Sequence, residues 1–105
     1  MKIQQHLAWK GKIEQAEIIS FLAGQSAFTY VLTQVEHTAY LLSYIRGSDR
    51  KIIHVHFREV YDANLRFCGY RNGSNIIFSS VDALIQYKLK GRGSIPESVS
   101  LRLSA

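Results

Sequence analysis

Apolar side chains recur at helical spacing from Ile13 to Ala23, where Ile18, Phe21 and Leu22 share one face, Ala16 and Ile19 widen it, and Gly24 supplies a stop. From Ala27 to Gln34 the period changes to two. Bulky Phe28, Tyr30 and Leu32 alternate with smaller Ala27, Thr29, Val31 and Thr33, as on a strand with unlike faces. Tyr40 to Arg46 and Lys51 to Arg58 read as two further strands joined by the turn Gly47-Ser48-Asp49-Arg50. In the second of them Ile53, Val55 and Phe57 face one way, and Ile52, His54, His56 and Arg58 the other. Shorter strands are expected at Leu65 to Cys68 and at Asn75 to Phe78, around the turn residues Asn72-Gly73-Ser74. A second helix follows. Ser79 is its expected cap with Asp82 three residues on, Val81, Leu84, Ile85 and Leu89 form its apolar stripe, and Gly91 ends it. A last short strand is expected at Val99 to Leu103. The order helix, antiparallel strands, helix predicts an α+β fold, a central antiparallel β-sheet flanked by two α-helices.

A chain of 105 residues accommodates one core, so a single domain spanning 1–105 is expected. No internal repeat breaks it, and only Gly91 to Ser100, around the sole proline Pro96, is rich in glycine and serine. No apolar run approaches the roughly 18 residues of a membrane span, and the start MKIQQHLAWKGK has no apolar stretch of a secretion signal. A single cysteine, Cys68, makes no internal disulfide, which suits a reducing, cytoplasmic compartment; in a strand it reads as a small buried apolar side chain. The formal net charge of +5 favours an anionic partner: a phosphopeptide, a nucleic acid or an acidic membrane surface. That charge is unevenly placed, because neither lysine nor arginine occurs between Lys12 and Arg46.

Four segments, in order and at compatible spacing, resemble Src homology 2 domains. Trp9-Lys10-Gly11-Lys12-Ile13 followed by Ala16-Glu17 is similar to that family's opening, with a linker about two residues shorter. Tyr40-Leu41-Leu42-Ser43-Tyr44 is similar to its third strand, and Ile53-His54-Val55-His56-Phe57 to the next, where a histidine precedes a ligand-contacting position. Phe78 to Tyr87 resembles its second helix, Phe-x-Ser-Leu-x-x-Leu-Val-x-Tyr. These are mainly core positions, and they argue fold more strongly than function. What the resemblance implies is a non-catalytic module of signalling proteins that binds a tyrosine or phosphotyrosine peptide, works without a cofactor and is cytoplasmic.

In that family an arginine at the end of a Phe-Leu-Val-Arg run grips the phosphate, using a guanidinium fork that meets two oxygens at once. Matching Phe28 to the phenylalanine puts Val31 at the arginine position; matching Tyr30 puts Thr33 there. Both are uncharged, so the resemblance implies an atypical member with a degenerate phosphate pocket. A second basic position, on the first helix, corresponds to Gln15. What remains is the face of His54, His56 and Arg58, together with a loop Gln34-Val35-Glu36-His37-Thr38 in which Thr38 and Thr33 offer hydroxyls and Glu36 repels phosphate. The residues following the tyrosine are expected to be read by the second helix and by the loops Tyr70 to Ser74 and Gly91 to Ser98, with Tyr70, Asn72 and Gly93 among them.

Other chemistries have weaker support. His54 and His56 on one strand face are two candidate metal ligands without a third at convincing spacing, and no metal is expected. Cys68 has no orienting carboxylate, and Gly91-Arg92-Gly93 follows a helix instead of opening one, so no enzyme is expected. Nucleic acid is the less favoured rival, resting on Lys88, Lys90 and Arg92, with Arg66 and Arg71 nearby in sequence and Tyr61, Phe67 and Tyr70 as stacking rings. A phosphate-independent protein-interaction domain is the other alternative.

Overall fold

Each element forms where the pattern changes, and its ends are fixed by local backbone chemistry. The computed structural model describes residues 2–94, so the strand expected at Val99 to Leu103 lies outside the described residues. Helix α1 spans Gln15–Leu22, and Glu17 in its first turn complements the helix dipole. Its contact stripe is narrower than expected: Ile18 and Leu22 are buried, whereas Ala16 and Ile19 are exposed. Eight residues give only two turns, enough to bury one i, i+4 pair.

Strand β1 covers Tyr30–Glu36, three residues later than the alternation suggests, because Phe28 takes a left-handed φ of 68°. Strand β2 is Ala39–Ile45 and β3 is Ile52–Tyr61, longer at its far end than expected. Strand β4 is Phe67–Arg71, not Leu65 to Cys68. The Asp62 carboxylate accepts the backbone N–H groups of Asn64 and Arg66 at 2.8 and 3.0 Å, and this Asx turn holds Leu65 at a φ of 62°, outside any ladder. The strand expected at Asn75 to Phe78 contracts to one antiparallel bridge, Tyr70 with Phe78, closed by two hydrogen bonds of 2.8 Å.

Helix α2 spans Val81–Leu89, with Val81, Leu84, Ile85 and Leu89 buried as the pattern predicts. Its cap is Ser80, not Ser79: the Ser80 hydroxyl oxygen accepts the Ala83 N–H at 3.1 Å. Ser80→Ala should therefore cost about 1 kcal/mol in urea unfolding, and Ser79→Ala close to nothing. Lys90 at a φ of 52° and Gly91 at 77° close the helix in left-handed conformation.

The four strands form one antiparallel sheet in the order β1-β2-β3-β4, and its two faces carry separate cores. On one face Tyr30, Leu32, Tyr40, Leu42, Phe57 and Tyr70 pack with the α2 stripe. On the other, Val31, Leu41 and Ile45 pack with Ile18 and Leu22 of α1. The fold is thus α+β with a helix against each side. The outer edge of β1 is closed by both ends of the described chain. Leu32 N–H donates to Ala8 O at 2.9 Å, Gln34 N–H to Gly11 O at 3.0 Å, and Tyr30 N–H to Ser94 O at 2.9 Å.

Candidate anion-binding face

Alternation within β3 decides which side chains reach the α1 face of the sheet. Register pairs Leu41 with His56, Ser43 with His54, and Arg58 with Arg71, so these alternating residues share a face with Val31 and Thr33 of β1. Helix α1 packs on β1 and β2, and the β3 end of that face stays open. A cavity of about 320 Å³ lies there, lined by Lys12, Gln15, Thr33, Leu41, His54 and His56 among others. The structure thus brings four of the sequence-selected residues, Gln15, Thr33, His54 and His56, into one cavity. Lys12, which the sequence placed only in the opening motif, is the one formally charged side chain lining it among the described residues. It enters because the residues ahead of α1 run beside β1 in the strand-like pairing of Trp9 with Leu32.

Inside the cavity His54 is fixed from below. Its Nδ1 is 2.7 Å from the hydroxyl oxygen of Ser43, which is fully buried. In the neutral tautomer protonated on Nε2 the Ser43 hydroxyl donates to Nδ1, and Nε2–H is left as a donor toward a ligand oxygen. Burial pushes the His54 imidazole below its ordinary value of 6.5, and the neighbouring His56 adds to the effect. A histidine with a depressed folded pKa binds fewer protons folded than unfolded, so its contribution to stability falls as pH drops through 6.5 toward the depressed value and is constant below it. Urea midpoints measured across that window should fall with acidification, and His54→Gln should flatten the profile.

A second hollow, of about 470 Å³, adjoins the first and shares Val35 and His56 with it. Arg58, Arg71, Asn72 and Glu36 line it. Arg58 and Arg71 stand directly opposite one another on β3 and β4, both exposed, and neither has an ion-pair partner among the described residues. Like charges in register on neighbouring strands repel. Sequence reasoning named Arg71 only under the nucleic-acid alternative, because only the β3–β4 register brings it beside Arg58.

Several expectations are corrected. The segment from Gln34 to Thr38 is not a loop: β1 runs to Glu36 and β2 begins at Ala39, so His37-Thr38 is a tight turn. A bulge between Gln34 and Glu36 and hydrogen bonds from Gln34 Nε2 to the Glu36 and His37 carbonyls, at 3.1 and 3.4 Å, fold it. Thr38 lines a hollow on the opposite sheet face, where its carbonyl accepts the Glu59 N–H at 2.9 Å. Val31 does not reach the cavity; it is sealed between Ile18, Leu22 and Leu41. Tyr70 belongs to β4, not to a loop, and is buried against Tyr40, Phe57 and Phe67, which removes it as a stacking platform for bases. Gly93 lies away from the anion face, in a hollow of about 270 Å³ beside Tyr30. Cys68, expected to be buried, is an exposed free thiol on β4. Among the described residues no three histidine, cysteine or acidic side chains converge for a metal, and no helix is long and apolar enough to cross a membrane.

A four-stranded antiparallel sheet between two helices, with the first helix preceding the sheet and the second following it, is the architecture of SH2 domains. Among solved structures the chain is similar to the solution structure of the SH2 domain of the human proto-oncogene protein VAV1. The TM-score is 0.58 and identity 17%, over 91% of this chain and 71% of that one. The same figures hold for the VAV1 SH2 domain complexed with a tyrosine-phosphorylated peptide from SLP76. No protein-family model matches the sequence, and no curated protein matches it.

Proposed function

We propose that this chain is a non-catalytic, SH2-like module that binds a phosphotyrosine peptide of a protein partner on the α1 face of its sheet. The observation that carries the reading is the position of His56, which lines both hollows and so joins Lys12, Thr33 and His54 on one side to Arg58 and Arg71 on the other. A dianionic phosphate seated against His56 lies among hydroxyl, imidazole, ammonium and guanidinium donors, with Glu36 the one carboxylate lining either hollow. The guanidinium charge then comes from β3 and β4, while both β1 positions matched to the family's arginine, Val31 and Thr33, are uncharged. The fold shared with an SH2 domain solved with a tyrosine-phosphorylated peptide supports the same ligand class.

The test is one tyrosine peptide in phosphorylated and unphosphorylated form, followed by fluorescence anisotropy. Phosphorylation is expected to tighten binding at least about tenfold, or about 1.4 kcal/mol. Equal affinities would replace this reading with a phosphate-independent interaction domain. Tighter binding of a single-stranded oligonucleotide than of the phosphopeptide would replace it with nucleic-acid binding.

A further inference from the structure

On the other sheet face, toward the β1–β2 turn, lies a hollow of about 860 Å³, wider than either hollow of the anion face and sharing only Gln34 with them. Its lining is of a different kind, aromatic rings with one ammonium, Lys2, and one carboxylate. The one carboxylate lining it is Glu59, whose two oxygens each accept a phenol, Oε2 from Tyr40 and Oε1 from Tyr61. Beside it two half-exposed rings, Tyr61 and Phe67, make a corner backed by the buried Tyr70. Tyr61 and Phe67 are 5.9 Å apart at 72°, and Phe67 and Tyr70 are 5.2 Å apart at 70°. Tyr61 and Phe67 remain 45% and 48% exposed, an apolar area left uncovered where the other core rings are buried.

We propose that this corner holds the trimethylated ammonium of a methylated lysine side chain from a partner protein. Ring faces are negative in quadrupole and attract cations within about 6 Å of their centroids, most strongly cations that shed water easily. Glu59 supplies negative charge, and each of its oxygens already accepts one phenol. An unmodified lysine ammonium brings three N–H donors and a tight hydration shell, which ring faces do not replace. A trimethylammonium brings the same charge with no donor to satisfy. The hollow is also longer than one ammonium needs, and the Gln4 amide and the Thr38 hydroxyl along it offer polar partners to a peptide backbone. Lys2 stands on the rim with its own positive charge, which opposes the bound cation.

The probe is a short trimethyllysine peptide, compared with its unmodified form and with a form carrying an uncharged tert-butyl group in place of the trimethylammonium, all followed by NMR titration. The trimethyl peptide is expected to move the Tyr61, Phe67 and Tyr70 signals and to bind at least about fivefold more tightly than either control. Glu59→Gln and Phe67→Leu should each weaken it by a similar factor, and Lys2→Gln should strengthen it. Phe67 lies exposed on β4, so its variant leaves the fold intact and keeps the test valid should the Glu59 variant misfold. Equal binding of the tert-butyl peptide would reduce the site to an apolar groove and overturn the proposal. So would preferential binding of phosphatidylcholine vesicles, or shifts confined to the His54 and Arg58 face. Phosphotyrosine-peptide affinity, read in the same variants, is expected to stay unchanged, so either reading can fail without the other.

Discussion

Gly69→Ala is expected to destabilise the protein by about 3 kcal/mol, with an unchanged urea m-value. Gly69 sits in β4 at a φ of 145°, opposite Val60 and next to the bulge between Val60 and Tyr61. A β-carbon there would come within 2.2 Å of the Phe78 carbonyl oxygen and 2.9 Å of Ile77 Cγ2. The first of these atoms is backbone, held by the Tyr70–Phe78 bridge, so it cannot turn aside as a flexible side chain would. Either the bridge opens or β4 moves off β3, and both uncover the ring cluster of Tyr40, Phe57 and Tyr70. Gly73→Ala is the control. Its φ of 93° carries the left-handed penalty of about 1 kcal/mol, but a β-carbon there meets nothing within 4 Å. A difference between the two variants of less than about 1 kcal/mol would mean that the Phe78 contact relaxes freely.

Removing both arginines of the cross-strand pair, Arg58→Gln with Arg71→Gln, is expected to weaken phosphopeptide binding at least about 100-fold while leaving the fold as stable or slightly more so. Each guanidinium that meets a phosphate oxygen contributes a charge-assisted hydrogen bond, on the order of 1.5–3 kcal/mol when its loss strands the partner charge. In the unliganded protein the two cations only repel each other across the strands, at about 0.2–1 kcal/mol. Binding and stability therefore move in opposite directions, a signature that general disruption of the sheet would not produce. The double variant should also lose much of the salt dependence of binding, since its partner contacts are exposed and screened. Affinity that holds within about twofold would exclude the pair from the ligand site and leave Lys12 and the two histidines as the whole of the anion grip.

Much of this architecture is legible in the sequence because it is written in side-chain period. The change from 3.6 to 2 at Ala27, the Ile53-Val55-Phe57 alternation and the Val81-Leu84-Ile85-Leu89 stripe each fix an element and the face it buries. Element ends are less legible, since they depend on single backbone choices that period does not encode: the left-handed Phe28 and Leu65, the Asx turn at Asp62, and which of two adjacent serines turns inward to cap α2. The site divides in the same way. Gln15, Thr33, His54 and His56 are gathered by strand alternation, which is local. Lys12, Arg71 and the brevity of the His37-Thr38 turn depend on how separate segments line up, and only register reveals that. Cys68 reads as buried from its residue type, yet β4 is too short and too far out for its outward positions to be covered.

Strand β1 joins two distant parts of the chain. Just ahead of it Thr29 reaches Ser94 across 65 residues of sequence, while Leu32 and Gln34 take Ala8 and Gly11 on the same border. The hairpins β1–β2, β2–β3 and β3–β4 link neighbours and close small loops, so they assemble early. The segment at Ser94 zips on last, because closing that longest loop costs the most chain entropy. The amide hydrogen of Tyr30, which donates to Ser94 O, should accordingly exchange sooner than those deep in β2.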